Sequence, residues 1–163
     1  MNNSINWLRA NTSACASKWA YEDGKTAKPA FKALGFTSHR YLDIDGAQAH
    51  LCSNKDTALI VCRGTEPTQV SDLLADLNII PKRHGPGFVH SGFRSEARKL
   101  WNDIYKFAEK HKNKDFIITG HSLGAAMATY IAQELKWHGI ENIELYTFGS
   151  PRLGSDDFVD AMS

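Results

Sequence analysis

Little in this sequence is extreme, and what is scarce narrows the field. Its 163 residues contain three cysteines, Cys15, Cys52 and Cys62, far apart and with no Cys-x-x-Cys pair. An odd, scattered set argues against a disulfide framework and fits reduced thiols. Neither sign of charge predominates: 19 Lys and Arg against 18 Asp and Glu leave +1. There is thus no electrostatic case for nucleic acid or an anionic membrane as partner. No apolar run reaches the roughly 20 residues that span a bilayer. Met1 to Leu8 lacks the basic-then-apolar pattern of a signal peptide. A cytoplasmic protein is the default expectation, although a mature secreted chain freed of its signal shares these features. No repeat, low-complexity tract or linker is visible. Seven histidines are present, but no His-Glu-x-x-His and no helically spaced pair with a nearby carboxylate. Gly85-Pro86-Gly87 lacks the Lys-Ser/Thr of a phosphate cradle. Neither a metal nor a cofactor is expected.

What is present reads as one ordinary globular domain over residues 1–163, with 42% hydrophobic and 23% charged residues, large enough for a real core. Its organising stretch runs from Phe116 to Ala128. Phe116-Ile117-Ile118-Thr119 is a short apolar, β-branched run and reads as a buried strand. Gly120-His121-Ser122-Leu123-Gly124 follows, then helix formers. A Gly-x-Ser-x-Gly between strand and helix is the context of a nucleophile elbow. Crowding explains the spacing. A serine at so tight a turn is strained, and its neighbours two before and two after must lack side chains for strand and helix to approach. The helix start behind it offers free N–H groups and a positive dipole end.

Along the chain, Trp7 to Tyr21 reads as a helix broken by Asp23-Gly24, and Phe31 to Phe36 as a short packing segment. Arg40 to Ile44 and Ala47 to Cys52 flank Asp45-Gly46, a hairpin turn signal. Ala58 to Cys62 is a continuous apolar run, the mark of a strand buried on both faces. Val70, Leu73, Leu74 and Leu77 recur at helical spacing, and Pro81 stops that helix. Phe93, Ala97, Leu100, Trp101, Ile104, Phe107 and Ala108 form the clearest amphipathic helix. Ile143 to Phe148 is another strand, and Asp156 to Met162 begins a helix. Alternating strands and helices after residue 88 imply right-handed crossovers and parallel strands.

Three further segments accompany the elbow: Val61-Cys62-Arg63-Gly64-Thr65, Asp72 to Leu77 with Val89-His90-Ser91-Gly92-Phe93, and Tyr146 to Gly154 with its Gly149-Ser150-Pro151-Arg152. In this order, from about Arg40 onward, the chain resembles the class 3 lipases, the fungal-lipase-like branch of the α/β-hydrolases. That resemblance implies an α/β-hydrolase-like, mostly parallel sheet with flanking helices, an N-terminal antiparallel hairpin and a C-terminally incomplete end. It implies Ser122 as nucleophile, with Leu123 N–H and Thr65 as the two halves of the oxyanion hole. Glu66, Pro67, Thr68, Gln69, Val70, Ser71, Asp72, Leu73 and Leu74 match the family's lid. Asp76 and His90 match structural positions near the site. The implied substrates are lipid carboxyl esters, either glycerides or the sn-1 ester of phospholipids, with no cofactor.

The family's order is nucleophile, acid, then histidine. After Ser122 the only histidine is His138, inside the elbow helix, and the chain stops before the positions of the family's acid and base. Asp156, Asp157 and Asp160 read as helix-start charges rather than a triad acid. Three readings follow. One is an ester hydrolase completed by a C-terminal segment or a second chain. Another is a hydrolase with a rewired base at His90 or His84, against which His90 reads more simply as a hydrogen-bonded structural histidine. The third is an inactive lipid- or partner-binding module that uses the Val70–Leu77 stripe. The buried Cys62 reads as an apolar filler rather than a nucleophile.

Overall fold

The computed structural model describes residues 6–64 and 80–160, apart from the side chain of residue 159. The lid residues, Thr65, Asp76 and the Val70–Leu77 stripe lie outside the described residues.

Helix α1 spans Trp7–Trp19, and the Asn6 side chain caps it by accepting the Arg9 N–H at 3.1 Å. Asp23 caps α2, Gly24–Ala33, accepting the N–H groups of Lys25 and Thr26 at 2.8 and 2.9 Å. The sequence suggested only a packing segment here. Gly24 at the first position and Pro29 inside the helix mask its 3.6-residue rhythm, while Ala27 and Phe31 supply a fully buried stripe. Strands β1, Ser38–Ile44, and β2, Ala47–Ser53, pair antiparallel around Asp45-Gly46. Both turn residues have positive φ, 50° and 82°, as the expected two-residue turn requires.

Strand β3, Thr57–Cys62, pairs antiparallel with β2. Next comes a separate hairpin of β4, Pro81–His84, and β5, Gly87–His90. Pro81 therefore opens a strand. A first strand position in a two-stranded ribbon tolerates its missing N–H. Helix α3, Ser91–Lys110, leads to β6, Asp115–His121; α4, Leu123–Trp137, leads to β7, Ile143–Phe148; a short α5 covers Asp156–Asp160. The main sheet has the order β1-β2-β3-β6-β7, and β3, β6 and β7 run parallel side by side.

Alternation along β3 divides the core. Ala58, Ile60 and Cys62 face α3 and α4, joining Phe93, Leu100, Ile104, Met127 and Ile131. Leu59 and Val61 face α1 and α2, joining Ala16, Ala20, Phe31 and Ile117. Leu59, Ile60 and Val61 are all fully buried, and each contributes roughly 1.5–3 kcal/mol. Small residues at Ala125, Ala126 and Ala128, all fully buried, let α4 lie close against the sheet. Register sets Cys62 beside Gly120 and Gly120 beside Thr147. The three parallel strands thus end together, and the β6–α4 turn emerges at that shared rim, where open α/β sheets place their ligand crevices.

Candidate active site

Ser122 stands between the last residue of β6 and the first of α4, with φ 56° and ψ −127°. Such a conformation costs a non-glycine residue about 1–3 kcal/mol, so its surroundings must impose it. They do so through close packing. A Cβ at Gly120 would overlap the carbonyl of Gly124, and one at Gly124 would overlap the carbonyl of Cys62. Strand, helix and the end of β3 thus meet backbone to backbone. The Ser122 N–H donates to the Phe148 carbonyl at 3.0 Å, and its own carbonyl accepts from Ala125 N–H at 3.0 Å.

A serine before a helix ordinarily caps it with its hydroxyl. Ser122 does not. Its main chain is held on both sides while its hydroxyl makes no hydrogen bond among the described residues. The residue is 7% exposed. Leu123 and Gly124 begin α4, and first-turn N–H groups have no intrahelical acceptor. They sit at the positive end of the helix dipole.

Thr65 lies outside the described residues, but the segment before it reaches the elbow. A Cβ at Gly64 would overlap the His121 carbonyl and come within 2.6 Å of the Tyr21 hydroxyl. Arg63, whose backbone would stand 2.8 Å from a Cβ on Gly124, is tied to β2: its N–H donates to the Gln48 carbonyl at 3.0 Å and Nη1 to Gln48 Oε1 at 2.6 Å. On the other flank, Gly149 approaches His121. Two residues further along the chain, Pro151 enters the wall of a cleft of about 750 Å³, lined also by Pro81, Phe88, His90, Phe93 and Leu153 but by no residue of the elbow itself. That volume is in the range of small-molecule sites.

None of the candidate acids and bases reaches Ser122 by a hydrogen bond. His84 Nε2 lies 2.7 Å from the Glu134 carboxylate, packed among Tyr130, Trp137 and Phe158. Burial lowers its pKa, and Glu134 partly offsets this. Glu134 is eleven residues along α4 from Leu123, about 16 Å at helical rise, so His84 is no base for Ser122. His90 donates its N–H to the Leu153 carbonyl at 2.8 Å and packs on Phe93. Its Nδ1 is buried without a partner among the described residues, and burial lowers its pKa. The ring lines the cleft wall. His138 binds the Glu134 carbonyl from an exposed position. Asp156 pairs with Arg152 at 2.7 Å, and Asp156, Asp157 and Asp160 are exposed; Asp156 and Asp157 open α5 as helix-start charges, whereas Asp160, read with them, closes it. The Cys62 thiol is fully buried and pushed up to about 12, which leaves it unreactive.

Sequence reasoning missed Tyr21. Its hydroxyl lies 2.8 Å from His121 Nδ1, across a separation of a hundred residues that no local motif spans.

A serine with positive φ on a strand-to-helix turn, at the carboxyl rim of parallel strands, defines an α/β-hydrolase elbow. The fold agrees. A Rhizomucor miehei lipase–propeptide complex superposes with a TM-score of 0.77 at 23% identity, covering 99% of this chain and 56% of that one. The model of the family Lipase (class 3) matches residues 59–163, and the chain belongs to that family. Toxin TseL of Vibrio cholerae serotype O1 is 28% identical over 187 residues, covering 88% of this chain and 28% of the toxin. Secreted mono- and diacylglycerol lipase 1 of Fusarium solani is 38% identical over 76 residues, covering 44% of this chain and 22% of that lipase. The chain thus spans less than a third of the length of these curated relatives. Among the described residues no helix is long and apolar enough to cross a membrane.

Proposed function

We propose that this chain carries the nucleophile half of a carboxylic ester hydrolase site for glycerolipid esters. The observation that carries the reading is the strained Ser122, its main chain fixed and its hydroxyl without a partner among the described residues. In this reading Ser122 Oγ attacks the ester carbonyl carbon while a base takes its proton. The oxyanion so formed is met by the Leu123 N–H and by Thr65. The alcohol departs with the proton, and water then releases the acid from the acyl-serine. The apolar cleft beside Pro151 suits an acyl chain, and relatives named as mono- and diacylglycerol lipases or as phospholipase A1 support a glycerolipid substrate. Glu66 to Leu74 serve in this reading as the family's lid. The acid and base come from outside these 163 residues, on a C-terminal segment or a second chain, because no described histidine bonds to Ser122.

Joining the Asp- and His-bearing C-terminal segment of a class 3 lipase, or supplying it as a separate chain, restores p-nitrophenyl ester cleavage, and Ser122→Ala abolishes it. Turnover that survives Ser122→Ala sinks this reading. One specific observation favours a second reading, a lipid-binding module without catalysis: the Ser122 hydroxyl has no described base. Sedimentation with phosphatidylcholine liposomes, without ester turnover in the joined protein, singles it out.

A further inference from the structure

The elbow's middle histidine, His121, is the side chain next to the nucleophile, and the fold treats it unlike its neighbours. Gly120 and Gly124 are fixed by packing alone, whereas His121 is held by a side chain from the far end of the sequence. Tyr21 follows α1 directly, its ring centroid 6.0 Å from that of His121 and its hydroxyl 2.8 Å from Nδ1. The same hydroxyl sits where a Cβ on Gly64 would come within 2.6 Å. The Arg63 guanidinium lies 5.8 Å over the Tyr21 ring. Tyr21 therefore touches both strands that frame the site: β6 through His121, and the end of β3 through Arg63 and Gly64. The opposite edge of the His121 ring approaches Gly149, where a Cβ would stand 3.5 Å from Nε2.

We propose that Tyr21 is a positioning residue for the Ser122 elbow: its hydrogen bond fixes the tautomer and ring orientation of His121, and so the spacing between the nucleophile turn and the Arg63-Gly64 strand end. Whichever partner donates, the bond assigns one ring nitrogen its proton state. A ring fixed at one edge by the Tyr21 hydroxyl, which also abuts Gly64, sets the separation of the nucleophile turn and the Arg63-Gly64 strand end, and oxyanion donors act only when preorganised at a set distance. The N-terminal helix layer then belongs to the site rather than merely covering the sheet. The proposal rests on Ser122 being the nucleophile, and its test separates the two claims.

Tyr21→Phe removes only the hydroxyl. In the 163-residue chain, ¹⁵N-detected imidazole spectra show a single His121 tautomer, assigned by the signal's loss in His121→Gln. Tyr21→Phe converts it to a mixture and shifts the Leu123 amide. With an alkyl fluorophosphonate, on the chain joined to the Asp- and His-bearing segment, Tyr21→Phe slows Ser122 labelling about five- to tenfold, the worth of one neutral hydrogen bond, with an unchanged Tm. A merely structural Tyr21 would lower Tm and leave the tautomer alone. An unchanged His121 spectrum and Leu123 amide in Tyr21→Phe overturn the proposal. A parent protein that is not labelled at all overturns the nucleophile reading, while the spectra still decide whether Tyr21 sets His121.

Discussion

At the carboxyl rim of β6 the chain turns through Ser122 with positive φ, glycines on either side and a hydroxyl without a described partner. At the opposite rim, Arg9 of α1 reaches the starts of two strands, donating to Asp115 Oδ2 at 2.7 Å and to Glu144. Above the same layer, Ser17 and Thr119 share a buried hydrogen bond of 3.0 Å, and Thr119 Oγ1 donates to the Tyr146 carbonyl at 2.7 Å. One region stores strain and keeps polar groups available. The other pairs Arg9, Ser17 and Thr119 across the layer and pins helix to sheet. The comparison teaches that the parallel strands serve as a rigid ruler, stabilised at one end so that the other can hold an unfavourable conformation.

The largest expected effect breaks the crowded rim. Gly124→Ala forces a methyl group into the Cys62 carbonyl, backbone that cannot swing away, and lowers stability by about 3 kcal/mol or more. Urea unfolding checks this, and an unchanged midpoint contradicts the packing account. Next comes pH, acting on the N-terminal layer. His50 is fully buried, with His39 Nε2 2.9 Å from its Nδ1. Burial first, then His39, lowers its pKa to about 4. The folded chain therefore binds fewer protons than the unfolded one between about pH 6.5 and 4. Stability from this group is complete above that window and falls by about 3 kcal/mol as pH drops through it. Thermal melts of the parent and of His50→Gln should diverge at pH 7 and converge toward pH 4.

Smaller effects sharpen the contrast between the rims. Ser122→Gly should stabilise the chain by about 1 kcal/mol, because glycine adopts positive φ freely; a loss of stability would mean the turn is not strained. Arg9→Ala should cost about 1 kcal/mol, since its ion pairs are part-exposed and screened. Asp156→Ala, with its pair fully on the surface, should shift the urea midpoint within experimental scatter.

The readings that succeeded rested on local chemistry. Asp45-Gly46 dictates a primed turn, the run at Ala58–Cys62 dictates a doubly buried strand, and the Gly120–Gly124 spacing dictates an elbow. Those that failed rested on punctuation. Pro29 hid α2 although Asp23 caps it and Phe31 anchors it. Pro81 was read only as the end of a helix; it also opens an edge strand, while that helix lies outside the described residues. The His121–Tyr21 bond was illegible because it joins residues a hundred positions apart. His90 was read as a hydrogen-bonded scaffold residue; its ring lines an apolar cleft and its Nδ1 is buried without a partner among the described residues, and Asp76, read beside it in the sequence, lies outside them.

The central claim is that Ser122 is a nucleophile held ready by the fold. Its most direct measurement is the intact mass and peptide map after exposure of the chain, joined to an Asp- and His-bearing C-terminal segment, to a long-chain alkyl phosphonate ester. The account predicts one adduct per chain, on Ser122, absent in Ser122→Ala. An adduct on another residue, or none at all in the folded, joined protein, would contradict it.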